Sequence, residues 1–326
     1  MIKYGLIGTG WISQEFVKGA QEVEGLKLEC VYSRSLEKGR DFARLFACEN
    51  VVTSLDDLAN SGIDAVYIAS PNSLHYEQSL FFLERGIHVL CEKPATVNAA
   101  QIEHLQSLAK ARGLVYLEAF MFLYSPNRFI LADALKELGK IRSGHFDFSQ
   151  HSSRYQAYLK GENPNIFNPQ MAGGSLMDLG CYCICPTVYF WGLPKSLKAS
   201  AVFLENGCDS NGAALLDYGD FLASLSYSKT GQSRGVSQII GDKATLTIKS
   251  ISQLTGLEIH YQSGGTSCLA GSSPKHLIMA HEARAFYDLI SSKNFDDEGY
   301  KKAQKTSLQT ARVSQAIRED AGIRFI

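Results

Sequence analysis

An excess of charge is the first thing this chain lacks. Lysine and arginine number 32 against 33 aspartates and glutamates, a formal net charge of -1. Without a basic surplus, neither nucleic acid nor an anionic membrane is expected as a partner. No apolar run reaches membrane-spanning length. No basic segment with an apolar core and a small-residue cleavage site precedes the first strand-like stretch, Ile2 to Gly8. A metal-ligand pattern is missing too. Cys181, Cys183 and Cys185 alternate instead of forming a C-x-x-C pair, and no matching His/Cys pair lies elsewhere, so no metal is expected. Several of the eight cysteines sit in apolar elements, as reduced core cysteines do, and a cytoplasmic location is expected. There is no internal repeat and no low-complexity linker. A length of 326 residues suggests two domains.

What is present begins at the N-terminus. Residues 2–7 read as a strand, and Gly8-Thr9-Gly10-Trp11-Ile12-Ser13 follows, then a helical pattern through Phe16, Val17 and Ala20. This G-x-G-x-x-S turn is a variant of the dinucleotide-binding fingerprint, in the strand-turn-helix context that the motif requires. Gly8 permits the tight turn, and Gly10 lets the backbone approach a pyrophosphate. Ser13 is small enough for close helix–strand packing. Phosphates would sit against Gly8, Gly10, Trp11 and Ile12, at the positive end of the helix. The second strand, Leu26 to Tyr32, ends without the acid that accepts from the ribose hydroxyls in an NAD site. Ser33 and Arg34 stand there instead, and a guanidinium suits a 2′-phosphate. NADP is therefore expected ahead of NAD. Ser33 or Ser35 can also cap the next helix.

Strands and helices then alternate to about Ala119, which indicates a parallel, doubly wound sheet. Asp64 to Ala69 is a strand feeding Ser70-Pro71-Asn72-Ser73-Leu74-His75. Asn72 or Ser73 can cap the following helix, or Ser70, Asn72 and His75 can lie beside the cofactor. The apolar run from Gly86 ends abruptly in Cys91-Glu92-Lys93-Pro94. Pro94 stops the ladder and biases Lys93 towards extended backbone. Lys93 is thus offered at a strand end, where open α/β sheets bind ligands.

After Ala119 the texture changes. A helix is expected at 126–138 and a strand at 141–150. The irregular stretch 151–171, with Tyr155, Tyr158, Asn163, Asn165 and Asn168, reads as a lid or a covering loop. Gly173-Gly174 then leads into an apolar helix on which Asp178 and Tyr182, four apart, share a face. Six strands from 196 to 262 follow one another across polar, Gly-rich turns, the pattern of an antiparallel meander. Two helices, 276–291 and 300–320, close the chain. The fold class is α/β: a parallel Rossmann domain over 1–121 and an α+β domain with a large, mostly antiparallel open sheet over 122–326.

Three motifs in order, Gly8-x-Gly10, Glu92-Lys93-Pro94 and Gly173-Gly174 before Asp178-x-Gly180-x-Tyr182, resemble the glucose-fructose oxidoreductase / inositol dehydrogenase family. Tyr182 replaces the histidine of some members and is similar to the dimeric dihydrodiol dehydrogenase and NADP-dependent D-xylose dehydrogenase branch. The resemblance implies an oxidoreductase moving hydride between NADP and a CH–OH carbon of a sugar, polyol or dihydrodiol. It implies Lys93, Asp178 and Tyr182 as catalytic residues. Ser33, Arg34, Ser70, Asn72, His75, Glu92, Lys93 and Pro94 join the glycine turn around the cofactor. A homodimer through the C-terminal sheet is expected. One departure is Leu123 in Met121–Pro126, where members often carry an arginine. Two other functions are compatible with the architecture. One is a non-catalytic dinucleotide sensor, which need not keep Lys93, Asp178 and Tyr182 together. The other is a biliverdin-reductase-like enzyme, which favours a more apolar pocket than 151–171 suggests.

Overall fold

The structure, a computed structural model, describes residues 1–325. The chain opens with β1 (Ile2–Ile7), α1 (Trp11–Gln21), β2 (Leu26–Tyr32), α2 (Leu36–Arg44), β3 (Asn50–Val52) and α3 (Leu55–Ala59). Next come β4 (Ala65–Ile68), α4 (His75–Glu84), β5 (His88–Glu92), α5 (Ala99–Ala111), β6 (Tyr116–Ala119) and α6 (Met121–Tyr124). The second half begins with α7 (Asn127–Glu137), β7 (Ile141–Ser149), α8 (Tyr155–Leu159) and α9 (Cys181–Trp191). Strands β8 (Ser196–Phe203), β9 (Asp209–Asp217), β10 (Leu222–Ser228), β11 (Ser237–Gly241), β12 (Ala244–Ser250), β13 (Thr255–Tyr261) and β14 (Thr266–Ala270) follow in succession. Helices α10 (Lys275–Ser292) and α11 (Glu298–Asp320) end the chain.

The chain divides into two compact units. The first comprises Met1–Thr96, Ala100–Tyr124 and Pro274–Lys305. Its six-stranded sheet has the order β3-β2-β1-β4-β5-β6. Every pairing in it is parallel. Because helices cover both faces of such a sheet, its strands bury apolar side chains on both faces. Leu6, Ile7, Val31, Val66, Ile68, Val89, Leu90 and Leu117 are all buried. The chain leaves β1 in one direction for β2 and β3, and reaches β4 on the other side. The carboxyl ends of β1 and β4 therefore flank the switch point where open sheets bind ligands.

A single boundary at 121/122 does not describe this unit, because Pro274–Lys305 returns to it. Helix α10 packs along α1. A Cβ on Gly19 would come within 2.5 Å of the His276 carbonyl and 2.8 Å of the Ala280 nitrogen. Glycine at 19 is what allows the two helix backbones to approach so closely.

The second unit holds Ser125–Ser273, the short piece Val97–Ala99 and the chain from Thr306. Its eight-stranded sheet runs β14-β13-β12-β11-β7-β10-β9-β8. It is antiparallel except where β7 meets β10. Alternation places Leu246, Ile248, Leu257 and Ile259 in the core. Leu215 and Leu222 stand exposed on the opposite face. Strand β14 lies beyond the meander read from the sequence. It is a largely exposed edge strand, so no buried face imprints a period on it.

Candidate active site

At the carboxyl end of β1, Gly8 adopts φ +100°, and a Cβ there would strike the Ala69 carbonyl, so glycine is required. Gly10 ends the turn as the N-cap of α1, with φ -81° and ψ 176°. No side chain caps that helix, and nothing lies within 4 Å of the place a Cβ would occupy. The leading N–H groups of α1 thus have no capping side chain, the arrangement that receives a phosphate. Trp11, in the first turn, is 63% exposed, and Ile12 beside it is half-buried. Ser13 is fully buried, as close packing at this position demands.

Beyond β2 the two serines organise the start of α2. Ser35 caps α2 by accepting from the Lys38 N–H at 3.3 Å, and Ser33 accepts from the Ser35 N–H at 3.3 Å. Arg34 is exposed and has no ion pair among the described residues. An uncapped helix end, an open glycine and an exposed, unpaired guanidinium fit a dinucleotide bearing a 2′-phosphate.

The loops after β4 and β5 are tied together. His75 is 1% exposed, its Nε2 2.8 Å from the Ser70 carbonyl and its Nδ1 2.9 Å from the Pro94 carbonyl. Burial holds its pKa below the ordinary imidazole range, against the pull of the two carbonyls. With both ring nitrogens within 3 Å of backbone carbonyls, the His75 side chain ties the two loops together. Ser70 Oγ donates to Gln78 Oε1 at 2.7 Å. Asn72 opens a half-exposed turn of 3₁₀-helix, Asn72–Leu74.

Lys93 stands half-buried just past β5, and its peptide bond to Pro94 is cis. Glu92 is buried beside it, accepting from Tyr67 Oη at 2.5 Å and from the Lys93 N–H at 3.3 Å. Burial lifts its carboxyl above the usual range, while the Lys93 charge opposes that shift. Three partners escaped the sequence. Tyr67 holds Glu92; Glu118 Oε1 accepts from the Ala95 N–H at 2.9 Å; and Glu282 of α10 is fully buried near Glu92. Burial, and then the Glu92 charge, drive the Glu282 carboxyl far upward. Lys275, also on α10, sets its Nζ 4.7 Å above the Trp11 ring. No spacing in the chain links positions 275 and 282 to the glycine turn.

In the second unit Gly173 and Gly174 have separate duties. A Cβ on Gly173 would come within 2.5 Å of the Asn165 carbonyl. Gly174, at φ +128°, leaves room for the Asp209 carboxylate, which a Cβ would strike. Asp209 Oδ2 accepts from Ser175 Oγ and from the Leu176 N–H, each at 2.7 Å. The close approach allowed by the two glycines is therefore to the protein's own backbone and carboxylate.

Asp209 thereby anchors the start of the next turn. Leu176–Gly180 is a π-helical turn, with the Cys181 N–H reaching back to the Leu176 carbonyl, where the sequence suggested a continuous α-helix. Such insertions cluster at functional sites. Asp178 lies within the π turn, its side chain 34% exposed. Tyr182 follows in the first turn of α9, buried, with its ring edge-on to Phe148 at 5.5 Å. Lys229, which the sequence reading also missed, places Nζ 2.5 Å from Asp178 Oδ2. Leu123 is buried within α6.

Comparison with known proteins accounts for both units. Residues 2–120 match the model of an oxidoreductase family with an NAD-binding Rossmann fold, and residues 134–247 match that family's C-terminal domain. The chain belongs to the GFO/IDH/MocA family. An uncharacterized oxidoreductase of Escherichia coli (strain K12), YgjR, is 41% identical over 100% of this chain and 98% of its own length. The scyllo-inositol 2-dehydrogenase (NADP(+)) IolU of Bacillus subtilis (strain 168) is 38% identical, again over 100% of this chain and 98% of its own. Among solved structures, the 3-ketoreductase KijD10 of Actinomadura kijaniata, in complex with TDP-benzene and NADP, superposes with a TM-score of 0.82. It is 27% identical and covers 98% of each chain. Among the described residues no helix is long and apolar enough to cross a membrane, and no cluster of ligating side chains could hold a metal.

Proposed function

We propose that this protein is an NADP-dependent oxidoreductase acting on a CH–OH group of a sugar, polyol or dihydrodiol. One observation carries the reading: Lys93 stands at the end of β5 in the same unit as an uncapped glycine turn and an unpaired Arg34. The NADP(+)-dependent scyllo-inositol 2-dehydrogenase matched over nearly its full length, and the NADP complex of the KijD10 ketoreductase, point the same way. Gly8, Gly10, Trp11 and Ile12 take the pyrophosphate. Ser33 and Arg34 take the 2′-phosphate, with Ser70, Asn72, Glu92 and Pro94 shaping the remainder of the cofactor site. His75 holds the Ser70 and Pro94 loops in place.

The bound nicotinamide supplies the hydride chemistry. The protein binds, orients and handles the proton. As a substrate alcohol is oxidised, its oxygen loses a proton, and Tyr182 Oη is the group assigned to take it. Tyr182 does so as the phenolate, and Lys93 Nζ is assigned to hold a substrate hydroxyl. Asp178 orients the substrate hydroxyls. The exposed apolar side chains on the outer face of the second sheet suit a homodimer through that face, and the free, mostly buried cysteines suit a reducing, cytoplasmic setting.

A panel of polyols, aldoses and dihydrodiols, followed by nicotinamide absorbance, tests the reading. Lys93→Ala and Tyr182→Phe should each abolish turnover while NADPH fluorescence still reports binding. Full activity in either variant would overturn that variant's assignment, and no turnover of any substrate by the wild-type protein would overturn the reading itself.

A further inference from the structure

We propose that Lys229 is the positioning residue for Asp178, fixing that carboxylate and the 165–167 turn as a single arrangement. The inference rests on the reading of Asp178 as the group that orients substrate.

The argument starts from the period of β10. Ala223, Leu225 and Tyr227 point inward and are buried, so two-residue alternation sends the next odd position, 229, inward as well. A lysine there is 1% exposed. An ammonium so buried must be paired, because only a close counter-charge and hydrogen bonds repay its lost hydration. Its Nζ meets Asp178 Oδ2 at 2.5 Å and the Ile166 carbonyl at 3.3 Å, and it stands 5.2 Å from the centre of the Phe167 ring. One cation therefore joins the π turn to the middle of the 151–171 stretch. Further bonds seat the same turn. Asn206 Nδ2 donates to the Phe167 carbonyl at 2.7 Å, and the Gly174 N–H donates to the Ile166 carbonyl at 3.0 Å.

The two partners differ in exposure, and the difference assigns their roles. Lys229 is sealed from solvent, whereas the Asp178 side chain is 34% exposed. The buried member can touch no ligand, so it acts through the exposed one. Asp178 is thus held from below by a charge in its own unit, before any cofactor is bound. A reacting group displaced by about 1 Å loses on the order of 100-fold in rate. Lys229→Met keeps the length of the side chain and its packing on Phe167 while removing the charge.

The test is a double-mutant cycle in the full chain: wild type, Lys229→Met, Asp178→Asn and the pair. It is read as kcat/KM on the best substrate of the panel, with NADPH affinity measured by fluorescence and folding by thermal melting. Lys229→Met should lower kcat/KM by about 100-fold with NADPH affinity changed less than about 2-fold. In the Asp178→Asn background the same change should cost less than about 3-fold, because the group it positions is already gone. Equal fold losses in the two backgrounds would make Lys229 a merely structural residue and overturn the proposal. So would wild-type kcat/KM in the Lys229→Met variant. A wild-type protein inactive on every substrate refutes the functional reading instead, a result distinct from either.

Discussion

Replacing Asp209 by asparagine should remove a contribution to stability that grows as the pH falls. Asp209 is fully buried, and burial raises its carboxyl from 3.8 to about 6, against the hydrogen bonds from Ser175 and Leu176. A carboxyl whose folded pKa exceeds its unfolded value holds its proton more tightly in the folded protein. Its contribution therefore grows as pH falls from about 6 towards 3.8, and is lost as pH rises through about 6. A rise of roughly 2 pH units, at about 1.36 kcal/mol per unit, makes the full swing roughly 3 kcal/mol. About 2 kcal/mol of it falls between about pH 7 and about pH 4.5. Asparagine does not titrate there. Its altered bonds to Ser175 and Leu176 add an offset that is the same at each pH. Glu92 and Glu282, the other raised carboxyls, titrate in both proteins and cancel on subtraction. The assay is urea unfolding of wild type and Asp209→Asn across that range, comparing the difference in free energy at each pH. A difference that stays constant from pH 7 to pH 4.5 would refute the reasoning, because Asp209 would then carry the same proton affinity in the folded and unfolded chain.

Two further substitutions separate cofactor binding from folding. Arg34→Ala should weaken NADPH by about 10- to 100-fold, the worth of a charge-assisted contact to phosphate, with much less effect on NADH; equal losses in fluorescence titrations would remove Arg34 from the 2′-phosphate. Gly10→Ala should change unfolding free energy by less than about 1 kcal/mol, since φ is -81° and a Cβ meets nothing within 4 Å, yet weaken NADPH at least about 10-fold by crowding the pyrophosphate. A stable variant with unaltered NADPH affinity would show that the phosphates lie elsewhere.

Much of the first unit was legible because its signals are local. A strand ending in glycine and opening a helix, an absent acid after β2, and an apolar run cut off at Lys93-Pro94 each occupy a few consecutive residues. The alternation of strands and helices required a parallel sheet, and the later run of strands without helices required an antiparallel one. The spacing of Asp178 and Tyr182 was equally plain, although the π turn between them was not. That turn begins where the Leu176 N–H donates to Asp209, 33 positions away, a contact no local pattern carries.

What the sequence by itself determined is the set of chemical groups and the strand ends or helix starts that carry them. Period and turn chemistry dictate which face a residue occupies: they put Lys93 at a strand end and Asp178 and Tyr182 around a helix start. Only the tertiary structure decided which buried polar groups meet. Lys229 finds Asp178 across 51 positions, Glu282 lies beside Glu92 because α10 returns to pack on α1, and His75 lies between two backbone carbonyls. A buried charge must find a partner, but the identity of that partner follows from sheet register and helix packing, which no local pattern encodes.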